Sequence, residues 1–166
     1  VTGGYGKLRG KMRSFFHLAP NIPVVILTDL DSRACSYEVV QEWKGYRQQH
    51  ENLLIRVAVR QVESWILSDR GALSQYAKIP ENKIPRDPEE LRDPKEKLLN
   101  LLNAHAPRIW RDEVVVFRDG ALRQGLGYNN RLSEFVKDYW RVSNATVNSQ
   151  SLARAHKRIQ ELGERL

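Results

Sequence analysis

The 166 residues, 41% of them hydrophobic, suffice for one folded domain with its own core, and residues 1–166 are expected to form a single α/β domain. Lys and Arg number 27 against 20 Asp and Glu, a formal charge of +7 that suits phosphate-rich partners but equally describes a mildly cationic surface. Cys35 is the only cysteine, which rules out an intrachain disulfide or a zinc site built on several thiolates, and no apolar run nears the about 20 residues that span a bilayer. With no apolar stretch resembling a signal peptide either, a reducing, cytoplasmic location is expected.

In chain order, the first feature is a basic segment. Lys7, Arg9, Lys11 and Arg13 lie between Thr2 and Ser14 without an acid among them, whereas acids predominate from Glu81 to Glu96. Leu8, Met12, Phe15 and Phe16 recur at helical spacing, which predicts a helix with its apolar face inward and its basic residues free to meet a phosphate backbone. The other reading is a solvated helix face. Neither Gly6-Lys7 nor Gly10-Lys11 has the glycine five residues upstream and the following Ser or Thr that a P-loop requires.

Pro23 to Thr28 is a β-branched run expected to be a strand buried on both faces. Ser36 to His50, with Tyr37, Val40, Trp43 and Lys44 at three- and four-residue spacing, predicts a helix, and Leu53 to Val59 a second strand. This order makes a parallel βαβ unit, in which ligands bind beyond the carboxyl ends of the strands. Helices are then expected over Gln61–Leu67 and Gly71–Ala77, followed by a loop or lid containing Pro80, Pro85 and Pro88. Asp93-Pro94-Lys95-Glu96 combines a capping acid, a first-turn proline and a glutamate three residues after the cap, so a helix starts there and runs to about Ala104. Glu113 to Arg118 reads as a strand, Gly120, Gly125 and Gly127 as loops, and Asn130–Arg141 and Ser151–Leu162 as helices. Asn144-Ala145-Thr146 is expected to be a loop.

The chemistry concentrates after the first strand. Asp29 and Asp31, at i and i+2 in extended backbone, would leave the chain on one side about 6–7 Å apart, able to converge on a hydrated cation. Two neighbouring carboxylates repel, and Mg²⁺ or Mn²⁺ held by them with waters or phosphates would relieve that repulsion and serve phosphoryl-ester chemistry. They could instead cap a turn or the next helix. After the second strand come Arg60 and Glu63, the latter either another acidic ligand or a first-turn acid favoured by the helix dipole, with Arg60 as its ion-pair partner. Lys95 either reaches a phosphate or is a solvated first-turn lysine, and Trp65 shares an apolar stripe with Val62 and Ile66. His17, His50, His105 and His156 lack metal-ligand spacing, and no Gly-x-Ser-x-Gly elbow is present.

Val24 to Asp31, Val57-Ala58-Val59-Arg60-Gln61-Val62-Glu63-Ser64-Trp65, Asp93-Pro94-Lys95, Gly125-Leu126-Gly127-Tyr128-Asn129 and Ser149-Gln150-Ser151-Leu152-Ala153-Arg154 together resemble a bacterial TOPRIM-like family of unknown function. The resemblance implies a Rossmann-like TOPRIM-type domain with a central, mostly parallel sheet flanked by helices and a helical C-terminal part. TOPRIM domains of topoisomerases, primases and overcoming-lysogenization nucleases hold Mg²⁺ with an early glutamate and an Asp-x-Asp, the latter matched here by Asp29 and Asp31. The same resemblance implies Glu63 as an accessory acid and an ATPase partner in genome-defence gene clusters. No glutamate precedes Glu38, so the strand that should carry the early glutamate is expected upstream of Val1. Two functions follow as expectations. One is a Mg²⁺-dependent nuclease using Asp29, Asp31, Glu63 and Lys95, with nucleic acid held by Lys7, Arg9, Lys11, Arg13 and Arg60. The other is a catalytically inactive module that recognises nucleic acid or an ATPase.

Overall fold

The computed structural model describes residues 5–45 and 50–166, a mixed α/β chain that is mostly helical. Its contacts divide it into two compact units, one containing the described residues up to Val59 together with Ser151–Leu166, the other Arg60–Gln150.

The first unit begins with two short helices, α1 (Tyr5–Gly10) and α2 (Met12–Leu18), where the spacing predicts one. They separate at Gly10 and Lys11, glycine being a poor helix interior residue. Strand β1 (Val24–Asp29), helix α3 (Ser36–Lys44) and strand β2 (Leu53–Ala58) follow, and the strands pair in parallel with Ile26 opposite Ile55 and Asp29 opposite Ala58. The remainder of the helix expected to reach His50 includes residues outside those described. Alternation along the strands directs Ile26, Leu53, Ile55 and Val57 into a core with Met12, Ala19, Val39 and Trp43. Val25 and Leu27 point the other way and are 46% and 41% exposed, so β1 is not covered on both faces as its composition suggests. A run of apolar residues cannot distinguish a doubly covered strand from one at the side of a narrow sheet.

The second unit is built around α4 (Val62–Ser68), in which every residue from Glu63 to Ser68 is buried. Helix α5 (Arg70–Ala77) is capped by Asp69, whose carboxylate accepts from Ala72 N–H at 3.3 Å and from Arg141 N–H at 2.8 Å. The proline-rich stretch contains 3₁₀ turns at Glu81–Lys83 and Pro88–Glu90 and anchors Ile84 and Pro88 in the interior, so it is packed structure. Helix α6 (Pro94–His105) starts as its cap residues predict, Asp93 accepting from Glu96 N–H at 2.8 Å.

The strand expected over Glu113–Arg118 is present but begins at Val115. Helix α7 (Arg108–Val114) runs directly into β3 (Val115–Arg118), which pairs antiparallel with β4 (Ala121–Gln124). The connecting Asp119 and Gly120 both have positive φ, 52° and 73°, as a two-residue type I′ hairpin requires. The described residues therefore hold two separate two-stranded sheets, one parallel and one antiparallel, and no central multistranded sheet. The late apolar strand closes on its own hairpin partner, a short-range pairing with little loop to close.

Helix α8 (Tyr128–Asp138) ends before the predicted Arg141, because Trp140 Nε1–H donates to the Trp65 carbonyl at 3.0 Å and Arg141 N–H to Asp69. Asn144 and Ala145 lie in the short helix α9 (Val142–Ala145), closed by Thr146, rather than in a loop. The final helix, α10 (Gln150–Gly163), returns the chain to the first unit with Leu152, Ala155 and Leu162 buried.

Candidate functional site

Asp29 is the last residue of β1, partly buried, opposite Ala58 at the carboxyl end of the parallel pair. The next residue, Leu30, turns inward to 4% exposure and donates its N–H to the Ala58 carbonyl at 2.9 Å. Asp31 then adopts a left-handed conformation with φ 52° and is exposed. The extended backbone assumed for the Asp-x-Asp thus ends at Leu30, and the two side chains are set by a turn instead of by strand alternation. Asp is one of the residues that tolerates this conformation at modest cost. Both aspartates belong to the first unit.

Glu63, Lys95 and Arg60 belong to the second. Glu63 is 3% exposed, and its Oε1 is approached by Lys95 Nζ at 3.2 Å and accepts from the Tyr128 hydroxyl at 3.1 Å, while Oε2 is buried without a hydrogen-bond partner among the described residues. Lys95 is thus an ion-pair partner of Glu63, so it is neither simply solvated nor left to a phosphate alone. Lys95 N–H also donates to the Gln61 side-chain carbonyl at 2.9 Å, which fixes the start of α6 against the start of α4. Burial and the Glu63 charge hold the Tyr128 phenol far above its ordinary pKa, so it stays a hydrogen-bond donor.

Tyr128 was legible only as part of the Gly-Leu-Gly-Tyr string. The two glycines bring it to Glu63 by close backbone approach: Gly125 N–H donates to the Val114 carbonyl and Gly127 N–H to the Glu113 carbonyl, each at 2.9 Å. Beside this cluster, Lys95, Leu99, Asn100, Phe117, Leu122 and Gln124 help line an open pocket of about 740 Å³ between α6 and the hairpin.

The basic segment is exposed at Lys7, Arg9, Lys11 and Arg13, as expected of a helical face turned outward, with Leu8, Phe15 and Phe16 packed on the core. Arg9 also pairs with Glu42 at 2.9 Å, and Glu42 is shared with Arg33. Among the described residues, no group of three or more His, Cys, Asp or Glu side chains is gathered as a metal centre. Nor is any helix among them long and apolar enough to cross a membrane. Compared with protein-family models, curated proteins and solved structures, the chain matches none.

Proposed function

We propose that this is a TOPRIM-like, phosphodiester-processing protein that holds nucleic acid through its basic N-terminal face and Mg²⁺ or Mn²⁺ through Asp29 and Asp31. The observation that carries this reading is the parallel β1-α3-β2 unit, which delivers Asp29 to the carboxyl end of the sheet and an exposed Asp31 immediately after it. Ligands of parallel α/β sheets bind at that end. Two carboxylates, one partly buried and one exposed, suit a Mg²⁺ ion that keeps several waters and shares its remaining positions with phosphate oxygens. Such an ion would supply charge neutralisation at a phosphodiester; the chain's own part is to hold the aspartates and, through Lys7, Arg9, Lys11 and Arg13, the backbone of the nucleic acid.

Two measurements test the reading. Replacing Lys7, Arg9, Lys11 and Arg13 by Gln is expected to weaken duplex and single-strand binding in filter assays and to reduce the salt slope by up to about 0.9 logarithmic unit per lost duplex phosphate contact. An unchanged slope would give the segment a purely structural role. Asp31→Asn is expected to abolish millimolar Mg²⁺ or Mn²⁺ binding by calorimetry, and undiminished binding would remove the aspartates from the site.

The adaptor reading is favoured by one observation: Glu63, the accessory acid of the nuclease reading, is already engaged by Lys95 and Tyr128. An adaptor for nucleic acid or an ATPase would keep its partner when divalent ions are chelated, whereas a nuclease would lose cleavage.

A further inference from the structure

The first unit also contains a polar concavity, distinct in residues from the Asp29 end of β1. Strand β2 pairs only with β1 among the described residues, and along its other side, between α3 and α10, runs a pocket of about 300 Å³. Ser36, Tyr37 and Gln41 of α3, Arg56 of β2, and Ser151 and Arg154 of α10 supply its polar lining, with no acidic side chain among the described residues that line it. Ser151 is held in place by accepting the Val59 N–H at 3.3 Å, which ties the start of α10 to the end of β2.

Arg56 is the unusual member. It is only partly exposed, its Nε is buried, and that atom has no hydrogen-bond partner among the described residues. Glu161 attracts it, yet Glu161 is itself paired with Arg158 at 2.7 Å, and Arg158 repels Arg56. A guanidinium cannot shed its proton to escape such a setting. A buried donor without an acceptor costs free energy that an incoming anion would restore. Arg154, one turn into α10 and exposed, adds a second fork-shaped donor that can approach from the solvent side.

We propose that this pocket binds the phosphoryl group of a phosphomonoester, with Arg56 and Arg154 providing the charge and Ser36, Tyr37 and Gln41 further donors. A monoester carries more charge than a diester and presents three terminal oxygens, matching two guanidinium groups and neighbouring hydroxyls in a pocket of this size. The group could arrive as inorganic phosphate, as a nucleoside monophosphate or as the phosphorylated end of a nucleic acid.

Calorimetry and thermal melting with inorganic phosphate, a nucleoside 5′-monophosphate, and an oligonucleotide with and without a 5′-phosphate test the site and identify the source. The wild-type protein is expected to bind at least one phosphorylated probe and melt higher with it. Arg154→Gln, an exposed change, is expected to weaken that binding by about tenfold or more. Arg56→Met is expected to abolish it while the unliganded protein melts at the same temperature or higher, since the buried Nε–H that lacks an acceptor is removed. The variant with Lys7, Arg9, Lys11 and Arg13 replaced by Gln should keep the pocket's affinity for inorganic phosphate or the monophosphate, which separates this site from the basic face. Absence of binding by every phosphorylated probe, or affinity unchanged in both Arg154→Gln and Arg56→Met, overturns the proposal.

Discussion

Lys95→Met is expected to lower the melting temperature of the 166-residue chain by roughly 6–12 °C, corresponding to about 3 kcal/mol at about 2–4 °C per kcal/mol. The reason lies at Glu63. Its carboxylate is almost wholly buried, one oxygen has no hydrogen-bond partner among the described residues, and the other relies on Lys95 at 3.2 Å and the Tyr128 hydroxyl at 3.1 Å. Removing the ammonium leaves an uncompensated buried charge, which is costlier than never having had the pair. The double variant Glu63→Gln with Lys95→Met should recover much of the loss, because the amide needs no counter-charge and its oxygen still accepts from Tyr128. A melting temperature for Lys95→Met within about 1 °C of wild type, together with weaker nucleic-acid binding, would instead assign this lysine to a phosphate.

Gly125→Ala is expected to cost about 1–3 kcal/mol and to loosen the same cluster from its other side. A Cβ at this position would stand 2.5 Å from the Glu113 carbonyl oxygen and 3.0 Å from the Val114 carbonyl carbon, both backbone atoms that cannot rotate away. The chain at 125–127 would have to withdraw from α7, carrying Tyr128 with it and weakening the hydroxyl's contact with Glu63. Gly71→Ala is the matching control: its Cβ would meet nothing within 4 Å inside α5, so the change should be neutral or stabilise by up to about 1 kcal/mol. Chemical denaturation of the two variants side by side distinguishes steric exclusion at Gly125 from a general intolerance of alanine. Equal stabilities would show that the close approach of 125 to α7 does not hold.

Local chemistry determined a good share of this protein from the sequence alone. The Asp93-Pro94 start of α6, the β1-α3-β2 order and the C-terminal helix follow from capping, β-branched runs and helical spacing, all of which act over a few residues. The hairpin was also written locally, in Asp119-Gly120, although the apolar run Val114 to Phe117 by itself marks only one strand. That Glu63 would be a buried partner of Lys95 and Tyr128 had no such local signature, because these residues lie 32 and 65 positions from it. Only the packing of α4, α6 and α8 within the second unit decided it. The same holds for Asp31, whose side-chain direction depends on Leu30 turning into the core, and for Arg56, which reads as a strand's polar residue until α10 comes back beside it. Sequence determined which side chains carry charge and where the chain turns. Tertiary structure decided which of those charges are buried, since desolvation depends on what segments distant in the chain bring against them.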